Sequence, residues 1–243
     1  PTRDVGTVPL SAQQQGLWLV NQRDPATDPY ALGFEVDLDG TLDADALRAA
    51  VRDVLHRHRM LRTVFPSLDE QVVLDEADFV LDDAATGGID LTRDVPIRVT
   101  LSQHAPDRNT VAILLHHIAV DGLSLRPLLR DLAVAYSART AGQEPDWAPL
   151  PVEYASYVLW QREVLGDTEY PESLAARQLA YWAETLDGLP AVLPLPLDRP
   201  RPAGALTLGH ATFAVDAEQH RALVRLAREH DVTPFMVLHA ALA

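Results

Sequence analysis

The 243-residue chain contains no cysteine. That excludes disulfides, thiolate metal sites and a cysteine nucleophile. Lysine is missing too, so all 20 basic residues are arginine and a Schiff-base mechanism has no amine to use. No apolar run is long enough to span a bilayer and no signal peptide opens the sequence, so a soluble cytoplasmic protein is expected. Positive charge is scarce: 35 acidic residues leave a formal net charge of −15. A surface this acidic repels phosphate backbones and anionic membranes, which removes nucleic acid and membranes from the expected partners. Internal repeats and low-complexity tracts are also absent.

What is present is enough for a core. Hydrophobic residues make up 47% of the chain, sufficient for one large domain or two small lobes. Phe34 to Leu38 alternates apolar and polar residues, the pattern of a half-buried strand. Asp43 then caps a predicted helix with Leu47, Val51, Val54 and Leu55 on one face. Ile97, Val99 and Leu101 alternate in another strand, a turn follows at 105–109, and Val111 to Leu115 is apolar on both faces, as expected of a central strand. Ser124 is the expected cap of a helix carrying Leu125, Leu128, Leu129, Leu132 and Tyr136. Helices are also predicted around 152–165, 171–186 and 216–230, the last opened by the capping pair Asp216 and Gln219. Between them, residues 188–204 hold five prolines and read as an extended crossover, and Thr207–Val215 reads as a strand. The chain begins at Pro1 and stops inside the predicted helix Pro234–Ala243, which reads as a piece of something longer.

One stretch carries chemistry: His116-His117-Ile118-Ala119-Val120-Asp121-Gly122. Successive strand side chains point to opposite faces, so one histidine should be buried and the other free for a site, and geometry alone does not say which. The same divergence argues against a metal, since adjacent ligands would point apart. A histidine titrates near neutrality and can take a proton from an attacking amine. Asp121 could orient that histidine, or pair with an arginine and brace the loop. Gly122 permits a sharp turn into the next helix, whose first amides could donate to an oxyanion. On spacing alone, a satisfied core histidine fits as well as a catalytic one. No G-x-S-x-G elbow is present, and Ser124 reads as a cap rather than a nucleophile.

Four motifs in order shift that balance. His116–Gly122 is the HHxxxDG pattern of nonribosomal peptide synthetase condensation domains. Arg57-His58-Arg59-Met60-Leu61-Arg62-Thr63-Val64-Phe65 resembles the family's RHExLRTxF motif, with Arg59 in place of glutamate. Ser11 to Trp18 resembles its opening SxAQxRLW motif, departing at Gln13 and Gly16. Tyr154 to Glu163 is similar to YxDYAVWQRE, with Ser156 replacing the aspartate, and the Leu193–Pro202 run resembles the family's crossover. Trp18 and Trp160 read as packing residues.

The resemblance implies an α/β fold like chloramphenicol acetyltransferase, each lobe a mixed sheet flanked by helices. Residues 1–187 would form the N-terminal lobe, 188–206 the Pro-rich crossover and 207–243 the truncated start of a second, similar lobe. It implies amide formation between substrates carried on the phosphopantetheine of upstream donor and downstream acceptor peptidyl carrier proteins, beside an adenylation domain, with no cofactor or metal of the domain's own. By motif position His117 is the base or amine-positioning group, and Gly122 lies by the thioester carbonyl. His116 is structural, and Asp121 pairs with Arg62 to brace the loop. The fragment alone would be inactive, since half the tunnel wall belongs to the second lobe. An epimerization domain of the same fold is disfavoured by Gly122, and a heterocyclization domain by both histidines. A non-catalytic member of the same fold that recruits a carrier protein or an enzyme is the remaining alternative. The phrasing around HHIAVDG and 145–151 leans towards a D-configured donor.

Overall fold

Ser11 opens the first helix. Its hydroxyl accepts from the Gln14 amide and the Gln14 side chain accepts from the Ser11 amide, so α1 (Ala12–Arg23) starts on a reciprocal capping box. The structure is a computed structural model, and it describes residues 8–26, 28–76, 88–192, 194 and 212–242. Two compact units divide at Asp187 and Gly188.

In the first unit, strand β1 (Ala31–Asp39) ends at Gly40, whose φ of +112° favours glycine and whose amide donates to Asp107 O at 2.7 Å. Asp43 accepts from the amides of Asp45 and Ala46 and so starts α2 (Ala44–Arg57). Its buried face, Leu47, Ala50, Val51, Val54 and Leu55, follows helical spacing. A 3₁₀ turn, Arg59–Arg62, leads to the antiparallel pair β2 (Thr63–Ser67) and β3 (Glu70–Val73). Strands β4 (Ile97–Ala105) and β5 (Arg108–His116) form a hairpin, and the sheet order is β1-β5-β4. The apolar run is therefore the central strand, as its two-sided hydrophobicity requires. Strand pairings among the described residues are antiparallel.

Helices α3 (Leu125–Thr140), α4 (Tyr154–Leu165) and α5 (Leu174–Thr185) complete the unit. Its main core packs α2 and Leu128 and Ala135 of α3 against Val99, Val111, Ile113 and Leu115 of the sheet. Each buried valine, leucine or isoleucine there contributes roughly 1.5–3 kcal/mol by leaving water. A smaller core, Leu10, Phe65, Ile89, Leu91 and Ile118, gathers where β5 ends. It fixes the loop that follows.

The second unit shows α6 (Ala217–Glu229), opened by the expected Asp216/Gln219 capping box, and α7 (Pro234–Leu242). Thr233 Oγ1 accepts from the Met236 amide and Pro234 takes the first helical position. Most of the crossover and most of the predicted strand 207–215 lie outside the described residues, and 212–215 form no strand. Among the described residues, no helix is long and apolar enough to cross a membrane.

Candidate active site

Antiparallel pairing decides what meets the two histidines. Ala31 at the start of β1 faces His116 at the end of β5, so the residues just before β1 lie beside the pair. The His117 amide donates to Tyr30 O at 2.9 Å, continuing the ladder by one step. His116 is fully buried and His117 half-buried, the divergence that strand geometry demands.

His116 is locked on both nitrogens. The Ile118 amide donates to Nδ1 at 3.0 Å, so the neutral ring carries its proton on Nε2 and donates to Asp28 Oδ2 at 2.8 Å. Burial, the largest influence, holds the His116 pKa below its ordinary value against the opposing pull of Asp28. For Asp28, burial alone would raise the pKa. Hydrogen bonds from His116, the Tyr30 amide and Asn21 outweigh it and keep the carboxyl below its ordinary value.

His117 has the opposite tautomer. Its Nδ1 donates to Val120 O at 3.0 Å, since a carbonyl can only accept. The neutral ring therefore presents a lone pair on Nε2. The Tyr30 ring meets it edge-on, centroids 6.2 Å apart. Gly122 is exposed, and a Cβ placed there would meet no heavy atom within 4 Å. Neither packing nor a left-handed backbone requires glycine at that position.

Two expectations are corrected here. Arg62 and Asp121 form no ion pair among the described residues. Asp121 is exposed and turns inward on its own loop: Oδ1 accepts from Ser124 N at 2.9 Å and from Ser124 Oγ at 2.6 Å. The Ser124 side chain and backbone hydrogen bonds pull the Asp121 pKa below its ordinary value. Arg62 is buried instead at the end of β3, where Nη1 donates to Leu74 O and the Leu74 amide donates back to Arg62 O at 2.9 Å. Its Nε is buried without a partner among the described residues, and burial lowers its pKa. Second, Ser124 occupies the cap position of α3 with a helical backbone and makes no capping bond. Asp121 satisfies the turn three residues earlier.

Arg57 and His58 converge on Asp131 of α3, at 2.8 Å and 3.0 Å, and Arg130 adds a third donor. Arg57 also stacks over Trp147, 4.9 Å from the ring centroid, and donates to Ala148 O. These motif residues brace the end of α2 against α3 rather than entering the histidine loop. Asp28, Asn21 and Tyr30 are site neighbours that sequence reading missed; the strand register would have pointed to them. Among the described residues, no three His, Asp or Glu side chains gather as a metal site would need.

Comparison with known proteins identifies the family. The condensation-domain family model matches residues 5–243. The probable nonribosomal peptide synthetase CymA of Salinispora arenicola is 47% identical over 251 residues, covering 97% of this chain and 3% of that protein. A dimodular nonribosomal peptide synthase of Bacillus subtilis is 40% identical, covering 97% and 11%. Among solved structures, the X-domain from teicoplanin biosynthesis superimposes with a TM-score of 0.84 at 31% identity, covering 96% of this chain and 55% of that one. The chain thus spans about half of that domain and a small part of the synthetases. With its chloramphenicol-acetyltransferase-like α/β fold, it belongs to the condensation-domain family of nonribosomal peptide synthetases.

Proposed function

We propose that this chain is the N-terminal lobe, crossover and beginning of the C-terminal lobe (1–187, 188–206 and 207–243) of a condensation domain that forms amide bonds in the cytoplasm. Its substrates are thioesters on the phosphopantetheine arms of a donor and an acceptor peptidyl carrier protein, the latter served by an adenylation domain. The observation that carries this reading is the tautomer of His117: with Nδ1–H held by Val120 O, Nε2 is free to accept a proton.

The acceptor amine attacks the donor thioester carbon. The new C–N bond forms as His117 Nε2 receives the amine proton, the C–S bond breaks, and the departing thiolate takes that proton. The thioester is already activated, so holding amine and carbonyl together supplies much of the acceleration. Gly122 leaves room for the thioester where any side chain would intrude. His116 holds the strand end, and Asp121 shapes the loop through Ser124.

A second reading has its own observation. The X-domain that this chain resembles is also solved as a complex with OxyB, at 32% identity to this chain. A recruiting role predicts partner binding without transfer. The experiment loads donor and acceptor carrier proteins, adds the complete domain containing this chain, and weighs the acceptor by intact-protein mass spectrometry. Acceptor gaining the donor mass is the expected result. No gain over a panel of substrate pairs, with folded protein, favours recruitment.

A further inference from the structure

Asp28 is a buried carboxylate that the proposed chemistry does not use. Its side chain is 1% exposed and that of His116 is 0% exposed. Oδ2 accepts from His116 Nε2 at 2.8 Å and from Asn21 Nδ2 at 2.7 Å, while Oδ1 accepts from the Tyr30 amide at 2.8 Å. Asn21 is itself tied to Ile89 O and the Leu91 amide. One carboxylate therefore joins α1, the segment before β1 and the end of β5.

Two of the three routes from this carboxylate, through His116 and through Tyr30, lead to His117; the third, through Asn21, anchors it to Ile89 and Leu91. Through His116, whose Nδ1 accepts from the Ile118 amide, it fixes the backbone on both sides of His117. Through Tyr30, it fixes the carbonyl that accepts the His117 amide and the ring that meets the imidazole edge-on. Burying such a group carries a large desolvation cost. An apolar contact would hold a core more cheaply, but it would not select a tautomer.

We propose that Asp28 is the positioning residue of the histidine pair: by holding His116 and Tyr30 it fixes the orientation in which the His117 imidazole meets Val120 O through Nδ1–H, the tautomer that leaves Nε2 free. This rests on the amide-forming reading for its consequence, though not for its geometry. Asp28→Asn keeps the shape, but it removes the charge and turns an NH₂ group towards one of the present donors.

The test is nitrogen-resolved NMR of the imidazoles in the full chain, with turnover of the complete domain measured in parallel. Wild type should show His116 as the Nε2–H tautomer and His117 as Nδ1–H. Asp28→Asn should mix the His117 tautomers and lower kcat by roughly 10- to 100-fold with KM nearly unchanged, the size expected of a small misplacement. A folded Asp28→Asn with wild-type imidazole signals overturns the proposal. If the variant does not fold, the wild-type spectrum decides: the opposite tautomer on either histidine overturns it, and the expected pair supports it. If wild type forms no amide at all, the proposed function fails while the tautomer result still stands or falls separately.

Discussion

At the residue scale, two adjacent histidines with identical side chains have different states, and their hydrogen-bond partners are the reason. His116 is neutral because a backbone amide occupies Nδ1 and water is excluded. Its folded pKa lies below the ordinary 6.5, so the unfolded chain takes up a proton first as pH falls. The stability it contributes is complete above about pH 6.5 and drains away below that, as pH falls towards the folded value. Asp28 acts lower: its folded pKa is below the ordinary 3.8, so its contribution is lost only as pH falls beneath 3.8. The melting temperature should thus decline in two stages on acidification, and His116→Gln should lack the first stage in a thermal scan from pH 8 to 5. An identical first stage in the variant would assign it to another group. Gly122 gives a second prediction. Because the space around it is empty, Gly122→Ala should melt within about 1 °C of wild type, consistent with the small effects of unconstrained surface changes. Amide formation should nevertheless fall, because the methyl occupies the place proposed for the thioester. Lower turnover caused by unfolding would contradict this.

At the element scale, much of the fold is legible because burial enforces a period. Leu47, Val51, Val54 and Leu55 specify α2, and Asp43 marks its start. Asp43→Ala should therefore cost about 1 kcal/mol in denaturant unfolding; no loss would mean that the Tyr136 hydroxyl bonded to the Asp43 amide carries that end of the helix instead. The apolar run 111–115 specifies a central strand for the same reason. The β2–β3 pair escapes such reading: β2 is short, carries Pro66, and its register shifts between Val64 and Ser67. Helix α1 is recognisable only as a motif, because its buried residues are the polar Gln14 and Asn21. The site was legible in the same measure. That the histidines diverge follows from strand geometry, whereas the Leu74 partner of Arg62 depends on tertiary placement, and Asp121 turns to the local Ser124 three residues on rather than to a distant arginine. Arg62→Ala should destabilise the β3 end through the lost Leu74 contact and leave the Asp121–Ser124 turn intact, checked by amide shifts of residues 121–124.

At the scale of the whole molecule, apolar side chains remain uncovered. On α5, Leu179, Tyr181 and Trp182 are 54–60% exposed and the helix buries no residue; on α7, Phe235 and Leu242 are 74% and 86% exposed. Exposed apolar faces of this kind mark interaction surfaces. A net charge of −15 opposes self-association by repulsion. The chain by itself should bind a hydrophobic dye strongly, and the complete domain should bind it several-fold less. Equal binding would place these faces outside the domain's own packing.

His117 is proposed to accept the amine proton during amide formation. Its most direct test compares wild type with His117→Ala in the complete domain, following acceptor-bound product by intact-protein mass spectrometry and fold by melting temperature. An unshifted melting temperature is expected, with product lost by about 10²-fold or more, the upper range for general-base catalysis being near 10⁴. Wild-type product from a folded His117→Ala would contradict it.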